Sequence, residues 1–368
     1  MKILITGARG FIGKNLVAHL GVRCDVAVVP IHRDASPEDL VRGASSADVV
    51  CHLAGVNRPD DVGEFKRGNT EYTRTLCEQI ERTGRGVPII FMSSTQAAHD
   101  NPYGASKRAA EQILVDYAAR TGASIFIFRL PNVFGKWCRP NYNSVVATFC
   151  HNVARGLPIE IYNAAAPLQL VYVDDVVATI ARILAGERGG DPYCDVAPTY
   201  MATVGGVADQ IRAFRESRQT LLIDRVGAGL VRALYATYVS YLPTDSFAYD
   251  LVMRGDARGV FVEMLKTRDS GQFSCFTAHP GVTRGGHYHH SKTEKFLVVA
   301  GRARFRFRHI LSNERHEIET SSDRLQVVEM VPGWTHDVTN IGDSELIVVL
   351  WANEVLDRDR PDTYMCAV

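Results

Sequence analysis

No CxxC pair occurs in this sequence. Its eight cysteines, Cys24, Cys51, Cys77, Cys138, Cys150, Cys194, Cys275 and Cys366, are scattered, which speaks against a disulfide framework and fits buried thiols in a reducing cytosol. An excess of one charge is missing too, since 41 Lys and Arg balance 41 Asp and Glu. That balance argues against a general nucleic-acid binder or a membrane-surface protein. No uninterrupted apolar run is long enough to span a bilayer. The opening MKILITG reads as a strand entering a glycine turn, which leaves no room for a signal peptide. A cytoplasmic protein is expected, without nucleic-acid or membrane partners.

What is present is a change of texture along the chain. In the first half, apolar runs at Lys2 to Thr6, Asp25 to Ile31, Val49 to Leu53, Ile89 to Met92 and Ile125 to Arg129 alternate with amphipathic stretches such as Tyr103 to Arg120. Strands alternating with helices predict a parallel, doubly wound α/β sheet of Rossmann type. Between the second run and Asp48 there is room for only one short helix, so the strand that a full Rossmann order puts there is expected to be missing. Thr203 to Leu242 reads as largely helical, and Pro243 to Phe247 as a linker. Beyond Tyr249 the runs are short and alternating: Val260 to Met264, Phe273 to Phe276, Lys295 to Val299, Ala303 to Arg308, Leu325 to Glu329 and Glu345 to Trp351. With Gly, Pro, Asn and Asp between them, they predict an all-β sandwich or barrel. Two domains are expected, over residues 1–245 and 250–368.

TGARGFIG, residues 6–13, follows a strand and opens a helix. There Gly7 would allow a tight turn, Gly10 would let backbone approach a pyrophosphate, and Gly13 would let the helix pack on the sheet. The second strand ends in His32-Arg33-Asp34. An acid at this place would hold the ribose hydroxyls of NAD, and an arginine would pair with the 2′-phosphate of NADP. Arg33 and Asp34 offer both; NADP is the favoured reading, with Arg9 as a helper. Tyr103 and Lys107 stand four apart at the start of a helix and share a face. A cation beside the phenol would lower its pKa and let Tyr103 exchange a proton near neutral pH. Ser93, Ser94 and Thr95 end the strand before it and supply hydroxyl donors.

On these residues the first part resembles an extended short-chain dehydrogenase/reductase of the nucleotide-sugar epimerase/dehydratase group. The likeness is carried by TGARGFIG, HLAGVN at 52–57, Gly68-Asn69, SST at 93–95, YGASK at 103–107, RLPNVFG at 129–135 and VYVDDV at 171–176. The resemblance implies Thr95 (with Ser94 as the lesser candidate), Tyr103 and Lys107 as catalytic residues. It implies coenzyme contacts from Gly7, Arg9, Gly10, Phe11, Ile12, Gly13, His32, Arg33, Leu53, Ala54 and Lys107. Asn132, in the loop after a strand, would lie near the nucleotide sugar. The missing strand is the departure from the family pattern, and it bears on the acidic residue usual on the adenine side.

The second part carries G-x5-HxH-x4-E-x6-G from Gly281 to Gly301, and G-x2-H-x3-N from Gly333 to Asn340. Residues two apart on a strand point the same way, so His287 and His289 would face one interior. Glu294 would join them from the same or the next strand, and His336 from a distant one. Three imidazoles and a carboxylate suit zinc, and also Mn, Fe or Ni. His290 would point to the opposite face. This pattern resembles the two-part motif of cupin metal barrels, with Pro332 directly before Gly333 where the usual pattern has PxG.

The order of the halves is similar to that of bacterial capsular-polysaccharide and O-antigen enzymes in which an extended reductase precedes a cupin. GVNRP at 55–59, HYHHSKTEKFLVVAG at 287–301 and the terminal PDTY at 361–364 support the likeness. It implies a UDP-sugar substrate and a bifunctional enzyme. The cupin would invert C3 of a UDP-4-keto-6-deoxy-HexNAc, and the reductase would reduce C4 with NADPH. The product would be UDP-2-acetamido-2,6-dideoxy-L-talose, on the route to UDP-N-acetyl-L-fucosamine. Lys292, His290 and Tyr288 are unranked candidates for the C3 proton transfer. The alternative is a single-activity nucleotide-sugar reductase or epimerase with a structural or regulatory cupin. A homodimer is expected, because cupin edges and reductase helices both commonly form dimers.

Overall fold

Alternation along β1 (Lys2–Thr6) organises the first part of the fold. Ile3 and Ile5 point to one face of a sheet and Leu4 to the other, and all three are fully buried. The Ile3 face packs on α1 (Phe11–Leu20) through Leu16 and Leu20, and on the helix Val173–Leu184 through Val176 and Ile180. The Leu4 face packs on α2 (Pro37–Ser46), α3 (Tyr72–Glu81) and α4 (Pro102–Thr121) through Leu40, Leu76, Ile80 and Leu114. This is the computed structural model of the chain. It describes residues 1–368 apart from 33–34, 188–191, 253, 257–258, 262–264, 268–270 and 355–358, and gives only the backbone of 254–256, 259–261, 266 and 272–275. One unit comprises Met1–Val133 with Leu168–Met201, and the other Phe134–Pro167 with Ala202–Val368.

In the first unit the strand order is β2 (Ala27–Ile31), β1, β3 (Val49–His52), β4 (Ile89–Ser94), β5 (Ile125–Leu130) and the short strand Tyr193–Cys194. Every pairing is parallel. The Rossmann-like sheet is therefore present, and among the described residues α2 alone stands where a further strand would come between β2 and β3. That leaves β2 as an edge. The Ile31 carbonyl accepts from Gly7 N–H at 3.0 Å, so Ile31 turns toward the glycine turn and β1. Pro30, one residue before, presents its donor-less nitrogen outward, where no ladder bond is lost.

The second unit holds two five-stranded sheets, antiparallel throughout. One runs Ala248–Asp250, Gln326–Met330, Glu294–Ala300, Leu346–Ala352, Gln272–Ala278. The other runs Arg315–Ser321, Arg302–His309, Trp334–Asn340, Thr283–Tyr288, Tyr364–Met365. In RARFRFRH the alternation is literal: Ala303, Phe305 and Phe307 are fully buried between outward arginines. Phe296 of the first sheet meets Phe305 of the second, ring centroids 6.0 Å apart, so the core lies between the sheets. Of the run Val260 to Met264, residues 262–264 lie outside the described residues. The helices Val145–Ala154, Val204–Thr220 and Gly229–Ser240 belong to this unit.

Neighbours on the strand Glu294–Ala300 face opposite ways. Glu294 turns to histidines and Lys295 to Glu329, with which it forms a buried ion pair. Glu329 also accepts from Arg218 at 3.0 Å, and Lys295 lies 3.3 Å from the Tyr249 hydroxyl. Burial opposes both charges of the pair, but their mutual attraction outweighs it, holding Lys295 above and Glu329 below its ordinary range. Glu329→Gln leaves two cations buried without their anion. It is expected to cost about 3–5 kcal/mol, read as a lower urea midpoint of the tryptophan fluorescence transition. The depressed carboxyl stabilises above the ordinary Glu range, and that contribution disappears as pH falls through its folded value. The variant should lose this part of the acid dependence.

Candidate functional site

The glycine turn after β1 is built by close approach. Gly7 has φ +68°, and a Cβ on it would stand 2.7 Å from the Ala54 nitrogen, so the turn lies directly on Leu53 and Ala54 at the tip of β3. A Cβ on Gly13 would come within 2.2 Å of the Gly7 carbonyl oxygen, so only glycine lets α1 begin this near the turn. Gly10 caps α1 with no side-chain bond to the first-turn N–H groups. Those donors and the helix dipole suit an anion. Phe11 and Ile12 follow in the first turn, and Arg9 is exposed beside it.

A cleft of about 570 Å³ opens here, lined by Gly7, His32 and Ala54 among the residues read from the sequence. Its other wall comes from Gly68, part of the Gly68-Asn69 pair, and from residues that no motif marks: Arg67, and Tyr72, Thr75 and Gln79 of α3. Arg33 and Asp34 lie outside the described residues. Among the described residues, His32 Nδ1 is buried with no hydrogen-bond partner. An orphan donor or acceptor in a cleft beside a helix N-terminus fits a dinucleotide.

Tyr103 and Lys107 lie in the first turns of α4. Asn101 caps this helix by accepting from Gly104 N–H at 2.8 Å, and Pro102 takes its first position. Gly104 presses on the turn Thr95–Ala98, where a Cβ would stand 2.1 Å from the Gln96 carbonyl oxygen. Burial raises the Tyr103 phenol above its ordinary pKa, and a hydrogen bond with Ser94 partly offsets this. The depressed phenol expected from the lysine is therefore not what the chain's own residues produce. Lys107 is buried, which lowers its pKa to about 8 against the pull of Glu111, and its ammonium donates to the Met92 carbonyl at 2.9 Å. Ser94, the lesser sequence candidate, is the hydroxyl bonded to Tyr103; Thr95 is half-buried at the next position. Asn132 is exposed and donates to the Gln169 carbonyl at 3.3 Å.

Asn69, of the Gly68-Asn69 pair, connects the loop after β3 to the Tyr103 helix. It sits in a π-helical turn, Lys66–Glu71, that leads into α3. Its amide closes on the Val56 N–H and C=O at 2.8 and 3.0 Å and donates to Ser106 Oγ at 2.9 Å. Ser106 in turn donates to the Tyr103 carbonyl at 2.7 Å. The extra residue of a π turn re-aims one side chain, and here that side chain ties the loop after β3 to the Tyr103 helix.

In the second unit, His287, His289, Glu294 and His336 each bring a ligand atom within 4.8 Å of the others. The strand Thr283–Tyr288 ends before His289, so the two HxH imidazoles do not share a regular strand. They converge because the chain bends there, their ring centroids 5.1 Å apart. His289 Nε2 stands 3.1 Å from Glu294, and His336 Nε2 3.8 Å from the same carboxyl oxygen. Burial holds His287 to about 4 and His336 well below its ordinary value, so both are neutral donors at neutral pH. For Glu294 burial opposes ionisation, but the hydrogen bond from His289 and the Lys292 ammonium prevail and the carboxyl titrates low. Among the described residues, both ring nitrogens of His336 are buried without a partner of ordinary hydrogen-bond geometry. Three imidazoles, of which His287 and His336 are held neutral, an ionised carboxylate and the orphaned His336 nitrogens at one point fit a divalent metal.

Of the three proton-transfer candidates, Lys292 faces this cluster, its ammonium 3.5 Å from Glu294. Tyr288 and His290 turn instead to Tyr364, with ring centroids at 5.5 and 4.8 Å.

Residues 3–196 match the NAD dependent epimerase/dehydratase family, and residues 254–364 match the Polysaccharide biosynthesis C-terminal domain. A UDP-2-acetamido-2,6-beta-L-arabino-hexul-4-ose reductase of Pseudomonas aeruginosa is 56% identical over 368 residues, covering 100% of this chain and 99% of that one. The chain belongs to the NAD dependent epimerase/dehydratase family. CapF is also similar to it over the full length. The crystal structure of the capsular polysaccharide assembling protein CapF from Staphylococcus aureus covers 100% of both chains at TM-score 0.69 and 42% identity. UDP-glucose 4-epimerase of Thermotoga maritima, at 24% identity and TM-score 0.53, covers 58% of this chain and 82% of its own and shares the fold. Among the described residues no helix is long and apolar enough to cross a membrane.

A Cβ on Gly10 would meet only the Gly7 carbonyl, at 3.0 Å. Gly10→Val is therefore expected to melt close to the wild type yet bind a reduced nicotinamide dinucleotide more than about 10-fold more weakly, because it fills the approach to the helix N-terminus. Titration of NADH and of NADPH, followed by the coenzyme fluorescence, checks this.

Proposed function

We propose that this chain is a bifunctional nucleotide-sugar enzyme. Its β unit, as a cupin, inverts C3 of a UDP-4-keto-6-deoxy-HexNAc. Its reductase then reduces C4 with NADPH to UDP-2-acetamido-2,6-dideoxy-L-talose, on the route to UDP-N-acetyl-L-fucosamine for capsule or O-antigen. One observation carries this reading: the Tyr103–Lys107 group and the four-residue His/Glu cluster occur together on a chain 56% identical to a relative named as a UDP-hexul-4-ose reductase. The working domains would be 1–245 for reduction and 250–368 for epimerisation, in a cytoplasmic homodimer.

Bound NADPH supplies the hydride for C4. Gly7, Gly10 and Gly13 would seat its pyrophosphate with Arg9, Phe11 and Ile12. His32, Arg33, Leu53, Ala54 and Lys107 would hold the rest, and the two arginines are what favours the phosphorylated coenzyme. As C4 is reduced, Tyr103 would give its phenolic proton to O4, with Ser94 or Thr95 bonded to that oxygen. Lys107 would favour the phenolate left behind, and Asn132 would contact the sugar.

A 4-keto group acidifies the C3 proton, so inversion needs that proton removed from one face and one returned to the other. His287, His289, Glu294 and His336 would hold zinc, or Mn, Fe or Ni, and the ion would supply Lewis-acid stabilisation of charge on the ketone oxygen. Lys292 is the candidate side chain that faces this point. The burial of His289, Glu294 and His336 favours a second reading, in which the metal only braces the β unit and the chain has reductase activity alone.

Incubation of the 4-keto UDP-sugar in deuterated water separates the two. Without NADPH, deuterium is expected at C3, and it should persist in Tyr103→Phe. That variant should oxidise NADPH about 10²–10⁴-fold more slowly. His336→Ala should lose the exchange. Exchange at the wild-type rate in His336→Ala would end the epimerase assignment of the β unit.

A further inference from the structure

In the segment that carries His289 to Glu294, the backbone N–H groups of residues 290–292 all turn to one residue near the last strand, Asp362. We propose that Asp362 is a positioning residue of the metal centre, fixing the loop through its carboxylate and the His289 ring through its carbonyl. The proposal rests on the reading of His287, His289, Glu294 and His336 as metal ligands.

Residues 289–293 connect the strand Thr283–Tyr288 to the strand Glu294–Ala300 outside any regular ladder. Three consecutive N–H groups in this bend need an acceptor, and one carboxylate takes all three. Asp362 Oδ1 accepts from His290 N–H at 2.8 Å, and Oδ2 accepts from Ser291 and Lys292 N–H, each at 2.7 Å. The Ser291 hydroxyl adds a fourth bond to Oδ2 at 3.0 Å. Hydrogen bonds to an ionised acceptor are roughly twice as strong as neutral ones, so the loop is clamped where His289 must be aimed. Both carboxylate oxygens are occupied by these donors, which sets Asp362 apart from the ligands themselves.

The main chain of the same residue meets the ligand directly. His289 Nδ1–H donates to the Asp362 carbonyl. With Nδ1 committed to that carbonyl, Nε2 is the ring nitrogen turned to the cluster, 3.1 Å from Glu294, and the one left for a metal. The residues that follow continue the clamp. Thr363 Oγ1 accepts from the Lys292 ammonium at 3.1 Å, and the strand Tyr364–Met365 pairs with Tyr288 and His287. One short stretch thus fixes the ring of one ligand, the strand of a second and the loop leading to a third.

The test is a Co2+ titration of the full, metal-stripped chain, followed by the ligand-field absorption of the bound ion. Groups that orient a ligating histidine change metal affinity by about 10–100-fold. Asp362→Ala is expected to weaken Co2+ by that factor and to alter the absorption envelope, while NADPH binding stays at the wild-type level. Asp362→Asn, which keeps the shape and one acceptor oxygen, should recover part of the affinity, and it serves if the alanine variant does not fold. A wild-type chain that takes up no Co2+ overturns the metal reading and this proposal together. A wild-type chain that binds Co2+, with both variants unchanged in affinity and spectrum, overturns this proposal alone.

Discussion

A charge taken out of water has to be answered where it stands, and this requirement shapes both units. Desolvating one ion costs several kcal/mol even after relaxation, so each buried charge here stands in a fixed group of partners. Glu111 is fully buried in the first unit and is met by Arg129 at 2.6 Å and by Ser93. That pair links the Tyr103 helix to the ends of β4 and β5, the strands that carry SST and RLPNVFG. In the second unit, Lys295 and Glu329 bind a strand of one sheet to its neighbour, and Arg218 extends the pair to the helix Val204–Thr220. The side chain just before Lys295 serves a different group on the other face of the same strand. A slip of one residue in register would exchange Glu294 and Lys295 and strand both.

The two sites use backbone and side chain differently. In the first unit the chain's contribution is space: Gly7 and Gly13 at the glycine turn, and Gly104 in the Tyr103 helix, lie where an added Cβ would strike main-chain atoms. At the His/Glu cluster the contribution is solvation control. Burial keeps His287 and His336 neutral, while Glu294 keeps its charge against the same burial.

Much of this was legible in the sequence because it depends on periodicity and local chemistry. The runs Lys2 to Thr6 and Ile125 to Arg129 became strands with at most one residue of difference at an end. The spacing of His287, His289, Glu294 and His336 foretold a cluster that the fold assembles. The misses share a cause, which is dependence on distant partners. Arg315–Ser321 is half charged and gives little apolar signal, and it is a strand because Arg302–His309 pairs with it along its length. Tyr72, Thr75 and Gln79 belong to no motif, and they wall the cleft because the fold lays α3 beside the glycine turn. Ser94 and Thr95 are adjacent hydroxyls that no pattern separates; the turn Thr95–Ala98 does so by redirecting the chain. Asp362 was visible only as part of PDTY, and its partners lie some seventy positions earlier.

Pro30 has a consequence for association. An edge strand is a template onto which a second chain can add, and open parallel sheets are exposed to this. At β2 the outward position in the last turn of the ladder offers no N–H, and Ile31 is already bonded to Gly7. A strand laid along this edge would lose a bond near its end, with no side chain able to restore it. The omitted strand leaves β2 as the margin of the sheet, and Pro30 withdraws from that margin one of the donors an added strand would need.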